Sequence, residues 1–294
     1  MATTDLSAGM AASQSPAPPA RSTWGLIQLS LFWIATNFHW AALPIIIVPS
    51  QVQAILYQQY HTTLSGDALA NAIKNAAPGT LALVVGPGLI AALISNPLFG
   101  YLSDRTRLRW GRRKPYILIG TLVNVAGLGI MAAAPSIPVL IGGLVLVQLA
   151  NNAAAAPFHA LLPDLVPAQQ RGKASGYMGL GQMVGTILGA TLPGIVFGVN
   201  AQGLINGQES LAQYHQTVYL AYGFTALFIL ALALATVLTV RERPVTERAD
   251  MPTAAGVSGH LVRDVLLTLA GIGVAIAATV GVMLLLHTLS LIHI

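Results

Sequence analysis

Long apolar stretches, separated by short polar connections, make up most of the chain. Each stretch is long enough to cross the apolar layer of a bilayer, which takes a helix of roughly 20 residues. The stretches lack period-two alternation, which argues against a β-barrel, and helices satisfy their own backbone hydrogen bonds in lipid. The seven predicted spans are Trp24–Val48, Gly79–Leu102, Pro115–Ala134, Ile137–Pro157, Ala174–Val199, Val218–Val240 and Val265–Thr288. We therefore predict an all-α integral membrane protein.

The composition supports this prediction and narrows the function. Of 294 residues, 55% are hydrophobic and only 8% are charged, whereas soluble domains carry about 25% charged residues. The chain has no cysteine, which excludes disulfides and cysteine-ligated metal sites. We find no pattern typical of a nucleophile with its base, of a metal cluster or of a phosphate-binding loop. We therefore expect neither an enzyme nor a bound cofactor or metal.

The basic residues give the orientation. Thirteen of the 14 Lys and Arg residues precede the first span or lie in even-numbered connections, and Lys74 is the exception. The positive-inside rule makes that side cytoplasmic, together with the amino terminus, and leaves 50–78 and 200–217 as external loops. The net charge of +5 then reflects topology, so nucleic-acid binding is not expected. We predict a multi-pass protein of a bacterial-type inner membrane.

The connection after the second span carries a motif. It reads Asp-Arg-x-x-x-Arg-Trp-Gly-Arg-Arg-x-Pro from Asp104 onward. This resembles the signature loop between helices 2 and 3 of the major facilitator superfamily (MFS), in the longer form of its sucrose-transporter-like and glycoside–cation symporter branches. The resemblance implies that Asp104 latches two halves of a carrier together on the cytoplasmic side; the alternative is a plain positive-inside anchor. The gate motif comprises Gly100, where we expect close helix approach, Asp104, Arg105, Gly111, Arg112 and Arg113.

A second stretch agrees with that resemblance. Asn151-Asn152 and the residues up to Asp164, followed by Arg171-Gly172, are similar to the pattern that closes helix 4 in sucrose-transporter-like proteins. Those proteins have Arg where this chain has His159, which implies a role in coupling or substrate binding there. Histidine is only partly charged near neutral pH, which argues against sucrose itself. The aspartates of sodium-coupled glycoside symporters are missing from spans 2 and 4, so that kind of sodium coupling is not expected.

Polar side chains inside the spans are candidates for a substrate cavity, because amides offer donors and acceptors and an aromatic face can stack on a sugar ring. The alternative is interhelical hydrogen bonding, worth about 1 kcal/mol each. His39 is the ionisable residue well inside the first six spans, so His39 and His159 are the candidates for proton coupling. The cavity candidates are Asn37, His39, Trp40, Gln148, Asn151, Asn152 and Gln182. Gly181, Gly185 and Gly189 repeat on span 5 and predict close helix packing.

The resemblance implies the MFS fold: an N-terminal six-helix bundle of two inverted three-helix repeats, plus helix 7, truncated before the second half. The expected segments are a disordered cytoplasmic tail (1–22), the six-helix domain (23–240), a central cytoplasmic loop (241–264) and the seventh helix (265–288). The final residues, 289–294, resemble the translation of a sequencing-library adapter, and we expect them to be an artefact.

The expected function is secondary active transport of a sugar or glycoside, with proton coupling, by alternating access. Its expected partners are the lipid bilayer, the small-molecule substrate, protons and the missing C-terminal half of the same protein. Two alternatives stay open. One is an MFS exporter of a small amphiphilic metabolite or drug. The other is a membrane sensor or assembly factor that has the fold but transports nothing.

Overall fold

The computed structural model describes residues 19–106, 108 and 111–240. Six helices in this part of the chain are long and apolar enough to cross a membrane. They are α1 (Thr23–Tyr60), α2 (Gly66–Arg105), α3 (Lys114–Ala132), α4 (Ile137–Leu165), α5 (Ala168–Ile195) and α6 (Leu211–Thr239). A single helical turn, Gln202–Ile205, lies between α5 and α6. Most of the predicted tail, and the predicted central loop, seventh helix and terminal hexapeptide, lie outside the described residues.

Helix α1 is much longer than predicted. It is α-helical over Thr23–Ala42, passes through a π-helical segment at Leu43–Ile47, and continues as an α-helix over Val48–Tyr60. The expected external loop 50–78 is therefore wrong, because only residues 61–65 separate α1 from α2. The two prolines in this region do not end the helix. One lies in the first turn of the π-helical segment and the other in the first turn of the α-helix that follows, where a missing backbone N–H costs little.

The helices also extend further at their polar ends than the hydropathy pattern predicts. Helix α4 continues past Pro157 to Leu165, and α5 begins at Ala168. The predicted loop 200–217 likewise contains the first turns of α6, which a capping box at Ser210 initiates. Hydropathy detects only the apolar middle of such helices, whereas their backbone hydrogen bonds extend into the polar layer. As a result, His159 and Asp164 lie within α4.

The packing of the helices shows an internal symmetry. The main contacts are α1–α5, α2–α4, α3–α4, α1–α6 and α3–α6. Exchanging α1, α2 and α3 for α4, α5 and α6 maps this set onto itself: α1–α5 becomes α4–α2, α3–α4 becomes α6–α1, and α3–α6 is unchanged. The start of α1 lies beside the end of α4, where the Arg21 Nε donates to the Leu165 carbonyl at 3.0 Å, so the equivalent helices run in opposite directions. This confirms two inverted three-helix repeats.

Glycines bring α1 and α5 into backbone contact. A Cβ on Gly181 would lie 2.9 Å from Ile34 Cγ1, and a Cβ on Gly185 or Gly189 would strike the carbonyl oxygen of Ile34 or Phe38. Small residues at this spacing let two helices approach closely in a membrane bundle. The glycine stripe on α5 therefore has the packing role that its spacing indicates.

Candidate functional site

One end of the bundle holds a cluster of four charged side chains. Arg113, whose side chain is only 4% exposed, lies between two carboxylates. Its Nη2 is 3.2 Å from Asp104 Oδ1, and its Nε is 2.9 Å from Asp164 Oδ2. Arg112 Nη2 is 2.7 Å from the same Asp164 oxygen. This charge cluster (Asp104, Arg112, Arg113, Asp164) joins the end of α2, the start of α3 and the end of α4.

The cluster places each charge at the unfavourable end of its own helix. The arginines lie at the amino-terminal start of α3, where the helix dipole is positive, and the aspartates lie near the carboxyl-terminal ends of α2 and α4, where it is negative. Each charge therefore depends on its opposite partners rather than on its own helix. Such an arrangement is stable while the ends stay together and loses its support when they separate.

The loop between α2 and α3 folds so that both arginines reach the carboxylates. Gly111 has a φ of +109°, a left-handed conformation that favours glycine. The Thr106 hydroxyl and the Tyr116 hydroxyl lie 2.8 Å apart and tie the two ends of the loop together. The predicted motif glycine at 111 is thus required by the backbone of the loop.

The residues of the predicted gate motif are not all in one place. Arg112 pairs with Asp164 of α4, and Arg105 lies outside the charge cluster, with its guanidinium carbon 4.1 Å from the centre of the Tyr101 ring. A side chain at Gly100 would meet no described atom within 4 Å, so the expected close helix approach at this glycine is not found among the described residues. The Gly100 carbonyl instead accepts a hydrogen bond from Ser103 Oγ at 2.8 Å.

The second motif closes the carboxyl terminus of α4. Arg171 donates from Nη2 to the Pro163 carbonyl at 3.1 Å and from Nε to the Val166 carbonyl at 3.3 Å. Cations stabilise the last carbonyls of a helix in this way. A side chain at Gly172 would meet no described atom within 4 Å. Arg171 is therefore a helix cap, placed beside the charge cluster.

Sequence reasoning missed a clamp at the same end. Besides its bond to α4, Arg21 exchanges two hydrogen bonds with Gln170: the Arg21 backbone N–H donates to Gln170 Oε1 at 2.8 Å, and Gln170 Nε2 donates to the Arg21 carbonyl at 3.2 Å. Lys173 Nζ also donates to Thr23 Oγ1 at 3.2 Å. The start of α1 is thereby fixed to the α4–α5 connection. No local sequence motif indicates this pairing, because the paired residues are far apart in the chain.

The cavity candidates on α1 differ in their surroundings. His39 is fully buried, and neither ring nitrogen has a hydrogen-bond partner among the described residues. Its ring centroid lies 4.9 Å from that of Trp40 in an edge-to-face arrangement. Asn37 is half-buried, and its Nδ2 donates to the Trp33 carbonyl at 2.8 Å. Interhelical hydrogen bonding, the alternative to a cavity role, is therefore not found for the His39 ring within the described ranges.

The candidates on α4 are buried amides. Asn152 Nδ2 donates to the Gln148 carbonyl one turn earlier, at 2.8 Å. Asn151 is 5% exposed, and its Oδ1 accepts no hydrogen bond from the part of the chain that the structure describes. Gln182, by contrast, is exposed on α5, and no described hydrogen bond joins it to the α1 or α4 set. The structure brings the α4 amides together and leaves Gln182 apart.

Trp33 is a site residue that the sequence analysis missed. Its ring contacts that of His159 across the α1–α4 interface, with the centroids 4.5 Å apart at 73°. It also stacks on Phe158, with the centroids 6.3 Å apart and the planes at 16°. The available signal was helical spacing, because Trp33, Asn37 and Trp40 recur at intervals of four and three residues.

The opposite end of the bundle is held by neutral hydrogen bonds. Gln51 Nε2 donates to the Met131 carbonyl at 2.7 Å, and Gln51 Oε1 accepts from the Tyr222 hydroxyl at 2.8 Å. The Ser50 and Tyr214 hydroxyls lie 2.9 Å apart. This neutral cluster (Ser50, Gln51, Tyr214, Tyr222) connects α1, α3 and α6. The sequence analysis placed Ser50 and Gln51 in a loop and therefore missed it.

The described residues contain no group of three or more His, Cys, Asp or Glu side chains that could hold a metal ion. What the structure offers is a charge cluster at one end and an amide-rich, aromatic face on α1 and α4. The charge cluster and this face are therefore the candidate functional sites.

Comparison with known proteins identifies the family to which the chain belongs. Residues 31–290 match the family model described as "MFS/sugar transport protein". The chain is 31% identical over 124 residues to sucrose transport protein SUC3 of Arabidopsis thaliana, covering 35% of this chain and 21% of that protein. It is 29% identical over 193 residues to solute carrier family 45 member 4 of Mus musculus, covering 58% and 23%. It is 29% identical over 125 residues to the general alpha-glucoside permease of Schizosaccharomyces pombe, covering 37% and 22%. Each match thus spans less than a quarter of the relative.

Proposed function

Since the chain belongs to the MFS/sugar transport protein family, we propose that it is part of a secondary active transporter that moves a sugar or glycoside across the membrane by alternating access. The family match over residues 31–290 carries this proposal. Two inverted three-helix repeats, which are typical of half of such a carrier, support it. So do the two relatives named for sucrose and for alpha-glucosides.

The distribution of charge supports an orientation in a bacterial-type inner membrane. Arg21, Arg171 and Lys173 lie at the same end of the bundle as the charge cluster, as their hydrogen bonds across helices show. Lys74 lies near the start of α2, toward the other end. Under the positive-inside rule, the charge-cluster end and the amino terminus are cytoplasmic.

The charge cluster then serves as a cytoplasmic gate. Asp104 is the partner with the most accessible side chain, 59% exposed, so it is available to a second half of the carrier as well as to Arg113. Because both carboxylates are accessible to solvent, a shift of α2 or α4 exchanges ion pairs for water at modest cost. This suits a latch that closes and opens in each transport cycle.

The substrate cavity lies against α1 and α4 in this proposal. Asn37 and Trp40 are half-buried on α1, and Gln148, Asn151 and Asn152 supply amides on α4. Amide groups both donate to and accept from sugar hydroxyls. Gln182 stays a candidate through its exposure on α5. The second half of the carrier would close the cavity from the other side.

Proton coupling is assigned to His39 and His159. His39 is fully buried and its ring nitrogens have no partner within the described ranges, so a proton bound there would place a lone cation inside the membrane. Such a charge is costly and biases the protein toward conformations that hydrate or pair it. His159 is exposed at the aromatic end of the same α1–α4 face and offers a site for proton exchange.

The test is uptake by the full-length protein in proteoliposomes, with radiolabelled sucrose and maltose under an imposed proton gradient. We expect saturable uptake of at least one sugar, loss of accumulation on adding a protonophore, and a strong reduction in the His39→Ala variant. Absence of uptake for both sugars contradicts the sugar assignment. Uptake that is indifferent to the protonophore contradicts proton coupling.

A further inference from the structure

Trp33 lies apart from the α1 residues nearest the α5 glycines. Those glycines approach α1 at Ile34, Asn37, Phe38 and Ala41, and Phe38 also contacts aromatic rings of α6. The intervening residues Phe32, Ala35, Thr36 and His39 are buried in the bundle. Trp33 and Trp40 lie on the remaining side of α1, Asn37 lies at its edge beside α5, and all three are partly exposed. Three side chains that can contact a sugar therefore lie in one row along α1.

Neighbouring rings hold the Trp33 indole in place. It stacks on Phe158, which is 2% exposed and is itself fixed edge-to-face by Phe32 at a centroid distance of 5.1 Å. The exposed His159 contacts the indole at a steep angle, with the two ring planes at 73°. A ring held in this way loses little conformational freedom when a ligand stacks on it.

The surroundings of Trp33 combine an aromatic face with polar groups. The ring of a sugar has an apolar C–H surface and a rim of hydroxyls, so it needs both an aromatic face and hydrogen-bonding groups beside it. His159 on α4 and the Asn37 amide one turn along α1 supply those groups. An apolar amphiphile would use the aromatic face and leave the imidazole and amide without a role.

We propose that the Trp33 indole, positioned by its contacts with Phe158 and His159 at the α1–α4 interface, is the platform on which the ring of a transported sugar stacks. This inference rests on the proposed function and specifies a specificity-determining residue for it.

The experiment measures uptake kinetics of radiolabelled sucrose and maltose by the full-length protein in proteoliposomes. We expect Trp33→Ala to raise KM for the transported sugar by about tenfold or more, and Trp33→Tyr, which keeps an aromatic ring, to raise it by only about threefold. The matched control is Trp24→Ala, since Trp24 lies on the first turn of the same helix and is 66% exposed. Its KM should equal that of the unsubstituted protein.

A second readout removes the dependence on folding of the alanine variant. Sugar should quench the intrinsic fluorescence of the unsubstituted protein, and this quenching should be lost in Trp33→Phe and kept in Trp24→Phe. A KM for Trp33→Ala within about twofold of the unsubstituted value overturns the inference, as does quenching that survives in Trp33→Phe. If Trp33→Ala loses uptake of an amphiphilic dye while its sugar kinetics are unchanged, the inference is also overturned. If the unsubstituted protein carries neither sugar, the proposed function itself fails.

Discussion

The two ends of the bundle are held together by different chemistry. At one end, ion pairs join α2, α3 and α4, and the participating carboxylates are 59% and 28% exposed. At the other end, neutral side chains join α1, α3 and α6, and Gln51, Tyr214 and Tyr222 are almost completely buried. Exposed ion pairs exchange readily with water and salt, whereas buried neutral hydrogen bonds do not. We therefore propose that the charged end serves in gating, and we expect structural stability to depend more on the neutral end.

The largest expected effect is at the centre of the charged end. Arg113→Ala removes a buried guanidinium that contacts both Asp104 and Asp164, together with the packing of its side chain, and we expect a loss of about 3 kcal/mol in stability together with loss of transport. Thermal unfolding in detergent and uptake in proteoliposomes measure the two effects. Arg105→Ala is the matched control, because Arg105 contacts Tyr101 outside the cluster. Equal losses of stability and of transport in Arg113→Ala and Arg105→Ala would show that the charge cluster contributes to neither.

The second-largest loss of stability is expected at the neutral end. Gln51→Ala leaves the Met131 carbonyl and the Tyr222 hydroxyl without their partner in a buried site, and we expect a cost of about 2 kcal/mol that does not change with salt. The measurement is the unfolding temperature at low and high ionic strength. The control is Gln53→Ala, since the one described side-chain hydrogen bond of Gln53 joins it to the exposed Gln202 at 3.3 Å. A salt-dependent loss in Gln51→Ala would break the distinction between the two ends.

A smaller effect is expected for the exposed ion pair. Asp104→Asn removes one carboxylate from Arg113 but leaves Asp164 in place, so we expect a loss of about 1 kcal/mol at low salt that shrinks as salt is added. Unfolding of both proteins across a salt series gives the difference. A loss that persists undiminished at high salt would mean that water does not reach this pair.

The smallest effect is expected at Gly100. An added methyl group meets no described atom within 4 Å, so Gly100→Ala should leave stability within about 0.5 kcal/mol of the original or raise it slightly through helix propensity. Gly185→Ala is the contrasting variant, because its methyl group would strike the Ile34 carbonyl. Similar unfolding temperatures for these two alanine variants would contradict the packing of α1 on α5.

Much of the fold follows from patterns that act locally. The length of the apolar runs predicts six of the helices, and the four-residue glycine repeat predicts the side of α5 that contacts α1. The length of α1 could not be predicted in this way. Its prolines normally signal a helix end, and only the π-helical segment at Leu43–Ile47 shows that the helix continues.

The site was harder to predict because it depends on contacts between distant residues. The motif indicated that Asp104, Arg112 and Arg113 act together, but the part played by Asp164 depends on how α4 lies against α3. Trp33 was missed for a similar reason. A tryptophan in a membrane helix usually faces lipid or the core, and only its contact with His159 on another helix marks it as part of the polar face.

Sugar counterflow by the full-length protein in proteoliposomes tests the proposed gate most directly, comparing the unsubstituted protein with Asp104→Asn and Gln53→Ala. Counterflow requires the loaded carrier to alternate between its two faces. We expect a transient overshoot of labelled sugar for the unsubstituted protein and for Gln53→Ala, and a much slower one for Asp104→Asn. No overshoot in the unsubstituted protein, or an equally fast one in Asp104→Asn, would contradict the proposal.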